Sequence, residues 1–220
     1  MFSWIKRLFK QPEPETGPDL DDAAEEAWAD EKEKRMESML GPMHDKVMHA
    51  MIPYAIGGGL DLYYYPNHIE GVGIATQELT HAGPTGSNNK TLDAYEIVMF
   101  TRHALDLDQA KDDTTPFGQA HMNIKAVLNA MAPYSEQATL NPNETCEFPS
   151  DMDHIGGKCL LLDEYAKEPV GERSFGLMVV IEVFRQEMDH AREHGGAELI
   201  QKLKDAGAYP YSDLDRDPVV

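Results

Sequence analysis

The residues with the most chemical potential are His190-Ala191-Arg192-Glu193-His194, an H-x-x-E-H spacing. Two histidines about one helical turn apart share a face and can hold zinc, with the glutamate acting as general base. A catalytic zinc needs a third protein ligand, which in this motif is an acid on a later helix. Only 26 residues follow His194, and Glu198 is the sole glutamate among them. Charged helices also generate this spacing without function. A zinc-dependent hydrolase using residues 190–194 therefore stands as the alternative assignment rather than the leading one.

Nothing else forms a complete reactive set. Cys146 and Cys159 fall in no C-x-x-C spacing, and two cysteines in a chain of this length do not make a disulfide framework. They read as reduced thiols of a cytosolic, cytoplasmic protein. A Cys–His nucleophile pair stays open, because such pairs form only in space. His44, His49, His68, His81, His103, His121 and His154 show no tight ligand pattern. Gly71-Val72-Gly73 lacks the third glycine and the following helix of a phosphate loop. The clusters Asp19-Asp21-Asp22 and Asp106-Asp108-Asp112-Asp113 lack the central glycine and closing glutamate of a calcium loop. No catalytic, cofactor-binding or metal residue is assigned, and the leading expectation is a chain that is not an enzyme.

Charge sharpens this. The net charge is −20, from 39 acidic and 19 basic residues. Such a chain repels a phosphate backbone, so no nucleic-acid partner is expected. It attracts and steers a basic protein partner, although the same charge also serves solubility. The charge is unevenly spread. Residues 1–10 (MFSWIKRLFK) carry +3, residues 11–35 carry −7, and the remainder carries −16. In the tip, Phe2, Ile5, Leu8 and Phe9 share one helical face with Trp4 beside them. Lys6, Arg7 and Lys10 lie on the other sides. This is a short version of a membrane-surface helix, expected to give weak membrane contact if any; a frayed end or a segment docked on another protein are the other readings. The tip lacks the long apolar core and cleavage site of a secretory signal, and no stretch reaches transmembrane length. Pro12, Pro14 and Pro18 mark a linker.

The expected domains are a basic amphipathic tip (1–10), an acidic linker and helix start (11–35), and one folded domain (36–220). Elements follow from periodicity. A charged helix runs from Asp21 to about Leu40 and ends at Gly41-Pro42. Met36, Met39, Leu40, Met43, Val47 and Met51 form an apolar stripe, expected to be core. Residues 56–59 form a turn, and Leu60–Tyr65 a strand that places Leu60, Leu62 and Tyr64 on one face. Residues 73–80 and Tyr95–Phe100 are further strands. Thr115 caps a helix that Pro133 stops. Residues 135–156 read as a long loop, and Lys158–Leu162 as a short strand. Val179–Phe184 is a strand buried on both faces. It feeds a helix from Gln186 to His194, a Gly195-Gly196 break, and a second helix with Leu199, Ile200 and Leu203 inward, ending at Gly207. Strands and helices mix without regular alternation, which favours an α+β fold.

In order, GGGLDLYYYP (57–66), ELTHAG (78–83), YEIVMF (95–100) and the closing strand–helix–helix unit (175–207) resemble the suppressor-of-fused family, over about residues 36–215. Asp61, Glu96, Glu187 and His194-Gly195 stand at matching positions. The Thr-Ser-Gly ending after the second segment is altered, and His49-Ala50 departs from the family's His-Glu. The resemblance implies a central mixed β-sheet flanked by helices and no enzyme activity. Animal members clasp a peptide of a transcription factor between two domains, and this chain has room for one. Bacterial single-domain members are regarded as immunity proteins that neutralise a toxin. The expected function is thus a suppressor-of-fused-type interaction domain, an immunity protein against a basic toxin or a regulatory binder.

Overall fold

The computed structural model of the chain describes residues 22–83 and 86–220. The basic tip (1–10), residues 11–21 of the acidic segment and Pro84-Thr85 lie outside them. The elements in order are α1 (Asp22–Leu40), β1 (Tyr63–Tyr65), β2 (Val72–Ala75), β3 (Ala94–Thr101), α2 (Pro116–Gln137), β4 (Thr145–Glu147), β5 (Cys159–Val170), β6 (Arg173–Val183), α3 (Arg185–His194) and α4 (Gly196–Asp205). The strands form one mixed sheet in the order β1-β2-β3-β6-β5-β4. All neighbours are antiparallel except the central pair β3–β6. The fold is α+β, a central mixed sheet with helices on both faces.

Alternation along β3 shows how the layers are set. Tyr95, Ile97 and Met99 face α2, together with Ile124, Val127 and Leu128. Val98 and Phe100 point the other way, into a core that also takes Trp28 and Met36 of α1, Met188 of α3 and Leu199 of α4. Every residue of β3 is buried. Glu96 shares the α1-facing side and is fully buried.

Two glycines are fixed by close approach. A Cβ on Gly71 (φ +84°) would sit 2.0 Å from the Thr101 carbonyl oxygen, and one on Gly58 would sit 1.8 Å from that of Ile52. At the chain end, Glu187 accepts from Arg216 Nη1 at 2.6 Å and Nη2 at 2.9 Å, from Val219 N at 2.9 Å and from Phe184 N at 2.9 Å. One buried carboxylate thus caps α3 and ties down the C-terminal segment.

Several elements differ from expectation. The helix α2 passes through Pro133 to Gln137. Proline removes one N–H and crowds the preceding turn, but Met131, Ala132 and Ser135 are buried and hold the last turn in place. The strand β4 lies inside the expected loop. The strand β5 runs on past Leu162, because the polar half from Asp163 to Val170 pairs with β6 in a long hairpin. Residues 73–80 yield only Val72–Ala75 as strand, since 76–80 turn inward to Glu96. The methionine stripe fades towards its end: Met36 and Met39 are buried and Met43 packs half-buried against the same core, whereas Met51 is fully exposed.

Candidate interaction site

Glu96 organises the most distinctive surface of the molecule. Its carboxylate accepts from Thr76 Oγ1 at 2.7 Å, Thr80 Oγ1 at 2.9 Å, and the backbone N–H groups of Leu79 and Thr80 at 3.2 Å. Lys32 of α1 completes the set at 3.1 Å and also donates to the carbonyls of Gln77 and Thr80. Trp28 donates from Nε1 to the Thr80 carbonyl at 3.3 Å and meets Phe175 edge to face. A buried ion pair with every lone pair engaged therefore locks α1 to the 76–80 turn.

The lock leaves a groove of about 850 Å3 between α1, the 3-10 turn at Tyr54–Ile56, the 77–81 segment and the end of α2. Trp28, Ala29, Tyr54, Ala55 and Pro133 give it apolar walls, and Glu25, Glu26, Glu78 and Glu136 bring four carboxylates. Among the described residues Lys32 is the single lysine lining it, and its charge is already spent on Glu96. Tyr54 donates to Glu136 Oε1 at 2.7 Å, and burial plus that bond raises its pKa. Burial also pushes the Glu78 carboxyl up, reinforced by the charges of Asp61 and Glu96 and opposed by the Asp61 N–H. Glu25 accepts from Ala82 N, while its neighbour His81 lies 4.0 Å away. The 51–57 segment also exposes Met51, Ile52 and Ile56 by 102%, 57% and 74%; none of the three lines the groove, and Met51 and Ile52 line a smaller cavity with His49, Leu60 and Lys125. Tyr134, at the end of α2, is also exposed. Exposed apolar surface rimmed by charge is a common feature of association sites.

The residues singled out by spacing fall elsewhere. His190 Nε2 lies 3.0 Å from Glu198 Oε1, and the His190 and His194 rings pack 4.4 Å apart. Among the described residues Glu193 pairs only with His194, at 3.7 Å. Among the described residues no three His, Cys, Asp or Glu side chains converge as a metal site. Both cysteines are free. Burial raises both thiol pKa values, and neither thiol pairs with a histidine among the described residues. Asp61 accepts from Ala50 N at 2.8 Å and pairs with His49 at 2.6 Å, fixing the 48–61 segment.

A second cavity of about 560 Å3 opens near the C-terminal ends of β3 and β6. Its buried carboxylates are already partnered: Glu182 accepts from Lys158 at 2.8 Å and Asn123 at 2.6 Å, and Asp213 accepts from the Thr101 hydroxyl and Arg102 N. No helix among the described residues is long and apolar enough to cross a membrane.

The groove residues Glu25, Glu26, Trp28, Tyr54 and Glu136 were not visible as a site in the sequence. The one available signal is the spacing Trp28, Lys32, Met36, Leu40, a four-residue ladder on one helix face.

Comparison with solved structures identifies the architecture. The chain superposes on the Sufu–Fu complex crystal structure with a TM-score of 0.58 at 12% identity, covering 89% of this chain and 92% of that one. The fold is the suppressor-of-fused fold. A putative suppressor-of-fused homologue from Neisseria gonorrhoeae gives a TM-score of 0.54 at 13% identity, with 89% and 98% coverage. Drosophila Suppressor of Fused gives 0.46 at 13% identity, with 70% of this chain and 41% of that one aligned. No protein-family model and no curated protein matches the sequence. What is shared with these suppressor-of-fused structures is therefore the backbone arrangement.

Proposed function

We propose that this chain is a protein-interaction domain that captures a basic, partly apolar segment of another protein in the groove between α1 and the 54–57 turn. One observation carries the reading. Four carboxylates surround apolar walls, and the lining lysine is neutralised from within by Glu96. Complementary charge steers such a partner and sets its register, while the aromatic and aliphatic walls supply the burial. A neighbour with this fold is solved as a complex with Fu, which makes binding to protein a natural use of it. In its finer form the proposal is an immunity protein acting in the cytoplasm, whose acidic face sequesters a basic toxin, or a regulatory binder of the same chemistry.

The test is co-purification of the tagged chain from its native cells, followed by titration of whatever protein comes with it. A stoichiometric basic partner whose affinity falls at least tenfold with Glu26→Lys and Glu136→Lys supports the proposal. A partner indifferent to both substitutions overturns the groove as the site. Stoichiometric zinc with hydrolytic activity lost in His190→Ala would replace it with the hydrolase.

A further inference from the structure

The second cavity opens where the two central strands send the chain in opposite directions. β3 and β6 are parallel neighbours. Beyond β3 the chain leads to α2 on one face of the sheet, and beyond β6 it leads to α3 on the other. Adjacent parallel strands that diverge in this way leave a crevice at their C-terminal ends, where open sheets hold their ligands. The C-terminal segment seats in that crevice. Ser212 donates from N to the Phe100 carbonyl at 2.9 Å and from Oγ to the Val180 carbonyl at 3.2 Å, and its Oγ lies 3.2 Å from the Glu182 N–H. The first two turns of α2 form a second wall. At about 560 Å3 the space falls within the range of about 300–1,000 Å3 typical of small-molecule sites.

The lining has a definite chemical sense. Glu182 and Asp213 are 5% and 8% exposed. Lys158 neutralises Glu182 at 2.8 Å. Asp213 accepts from two neutral donors, the Thr101 hydroxyl and Arg102 N, and Asp215 pairs with none of the described residues. Two negative charges therefore stay uncompensated at the cavity. Asn123 and Gln119 direct amide N–H groups to Glu182 and to the Asp113 carbonyl, which leaves their own carbonyl oxygens as acceptors. Ala120, Ile124 and Leu214 add apolar wall. Acceptors and negative charge dominate beside a strip of aliphatic surface. Among the described residues no three His, Cys, Asp or Glu side chains converge, so the donor set does not suit a bare metal ion.

We propose that this cavity binds a small organic cation of the alkyl diamine class. Its ammonium groups are met by the carboxylates of Asp213 and Asp215 and the carbonyl oxygens of Asn123 and Gln119, and its methylene chain by Ala120, Ile124 and Leu214. The buried position of Asp213 strengthens the attraction above that of an exposed carboxylate, because less water screens it. Ligand held here bridges α2 to the C-terminal segment. The site is separate from the α1 groove and does not depend on the groove's being a partner site.

The probes are putrescine and cadaverine, added to the full chain at about 0.15 M salt, where diffuse attraction by its charge is screened. Calorimetry reads the stoichiometry, and the side-chain amide resonances of Asn123 and Gln119 read the place. One ligand per chain is expected, with saturable shifts of both amides and a dissociation constant of about 0.1–1 mM, modest because so few ligand atoms are buried. Asp215→Lys should weaken binding about tenfold or more, and Ala120→Phe, which fills the space, should abolish it. Asp215 is exposed, so its variant keeps a folded chain even if Ala120→Phe does not. The E26K/E136K groove chain should bind diamine as the native chain does. Amides that do not shift, or binding equal in native and Asp215→Lys chains, would reduce the effect to surface attraction and overturn the proposal. Saturable binding of glutarate, or of 1,5-pentanediol as tightly as cadaverine, would overturn the cationic assignment. Loss of diamine binding in the E26K/E136K chain would move it to the groove and overturn the site.

Discussion

Lys32 of α1 lies 3.1 Å from Glu96 in the middle of β3, and the two side chains are 5% and 0% exposed. They stand 64 residues apart in the chain. This contact places α1, and with it one wall of the groove. Removing the lysine strands a buried carboxylate, which costs about 3–5 kcal/mol. Lys32→Met should lower stability by that amount in urea unfolding. The K32M/E96Q double variant should recover part of the loss, because no unpaired charge remains. Simple additivity of the two single changes would show that the pair is not coupled.

His121 is buried in the α2-facing core. Its Nδ1 lies 2.8 Å from the Ala110 carbonyl and its Nε2 lies 2.9 Å from the Tyr64 hydroxyl. A carbonyl only accepts, so Nδ1 carries the proton and Nε2 accepts from Tyr64. Burial depresses the pKa, against the Ala110 bond and with help from Lys125. The unfolded chain binds the proton more readily, so stability should decline as pH drops below about 6.5 and level off below the folded pKa. In urea unfolding at pH 7 and pH 5, native protein should lose more stability than His121→Gln. Equal losses would assign the pH dependence to other groups.

The legible parts of this fold are those whose pattern is local. Tyr95–Phe100 is an unbroken apolar run around one glutamate, and it lies at the sheet centre as β3. Thr115 caps α2 as its type predicts, accepting from Gly118 N at 3.1 Å. The outer half of β5 was hidden because DEYAKEPV has a strand's pairing without a strand's composition. Its partner β6 supplies the hydrogen bonds, and one bulge at Glu164/Ala166 offsets its alternation. Glu96 stood out as an acid within a strand, but its partner looked like one more solvated charge on α1. The groove itself is assembled from four separate stretches, near residues 25–32, 54–57, 77–81 and 133–136. No spacing along the chain encodes that meeting; it follows from the Lys32–Glu96 lock and from α2 running one turn past Pro133.

The clamp at Glu187 predicts a release of the C-terminal segment in acid. Burial alone would raise its pKa, but Arg216 and the N–H groups of Val219 and Phe184 outweigh burial and hold it below the usual carboxylate range. A depressed carboxylate contributes stability above about pH 4.3, its unfolded value, and that contribution is lost as pH falls through the folded pKa. Arg216→Ala should cost about 3–5 kcal/mol, since Glu187 is fully buried. Hydrogen exchange at the Val219 amide should rise in Arg216→Ala at neutral pH and in native protein only at acid pH. An unchanged Val219 amide in the variant would mean that the segment is held by other contacts.

The exposed side chains of the 51–57 turn separate binding from folding. Met51 and Ile56 stand 102% and 74% exposed, so replacing them removes almost no buried area. Surface substitutions of this kind change stability by about 0.5 kcal/mol or less. If a partner seated in the groove extends over this neighbouring segment, those side chains become buried only in the complex, at roughly 25 cal/mol per Å2 of apolar surface. Met51→Ser with Ile56→Ser should therefore leave the urea midpoint unchanged while weakening partner binding about tenfold or more, mainly by faster dissociation. Gly58→Ala gives the converse control. Its Cβ would collide with the Ile52 carbonyl oxygen at 1.8 Å, so the turn must move while the distant β5–β6 hairpin stays folded. Binding that survives both changes would place the partner on another face of the domain.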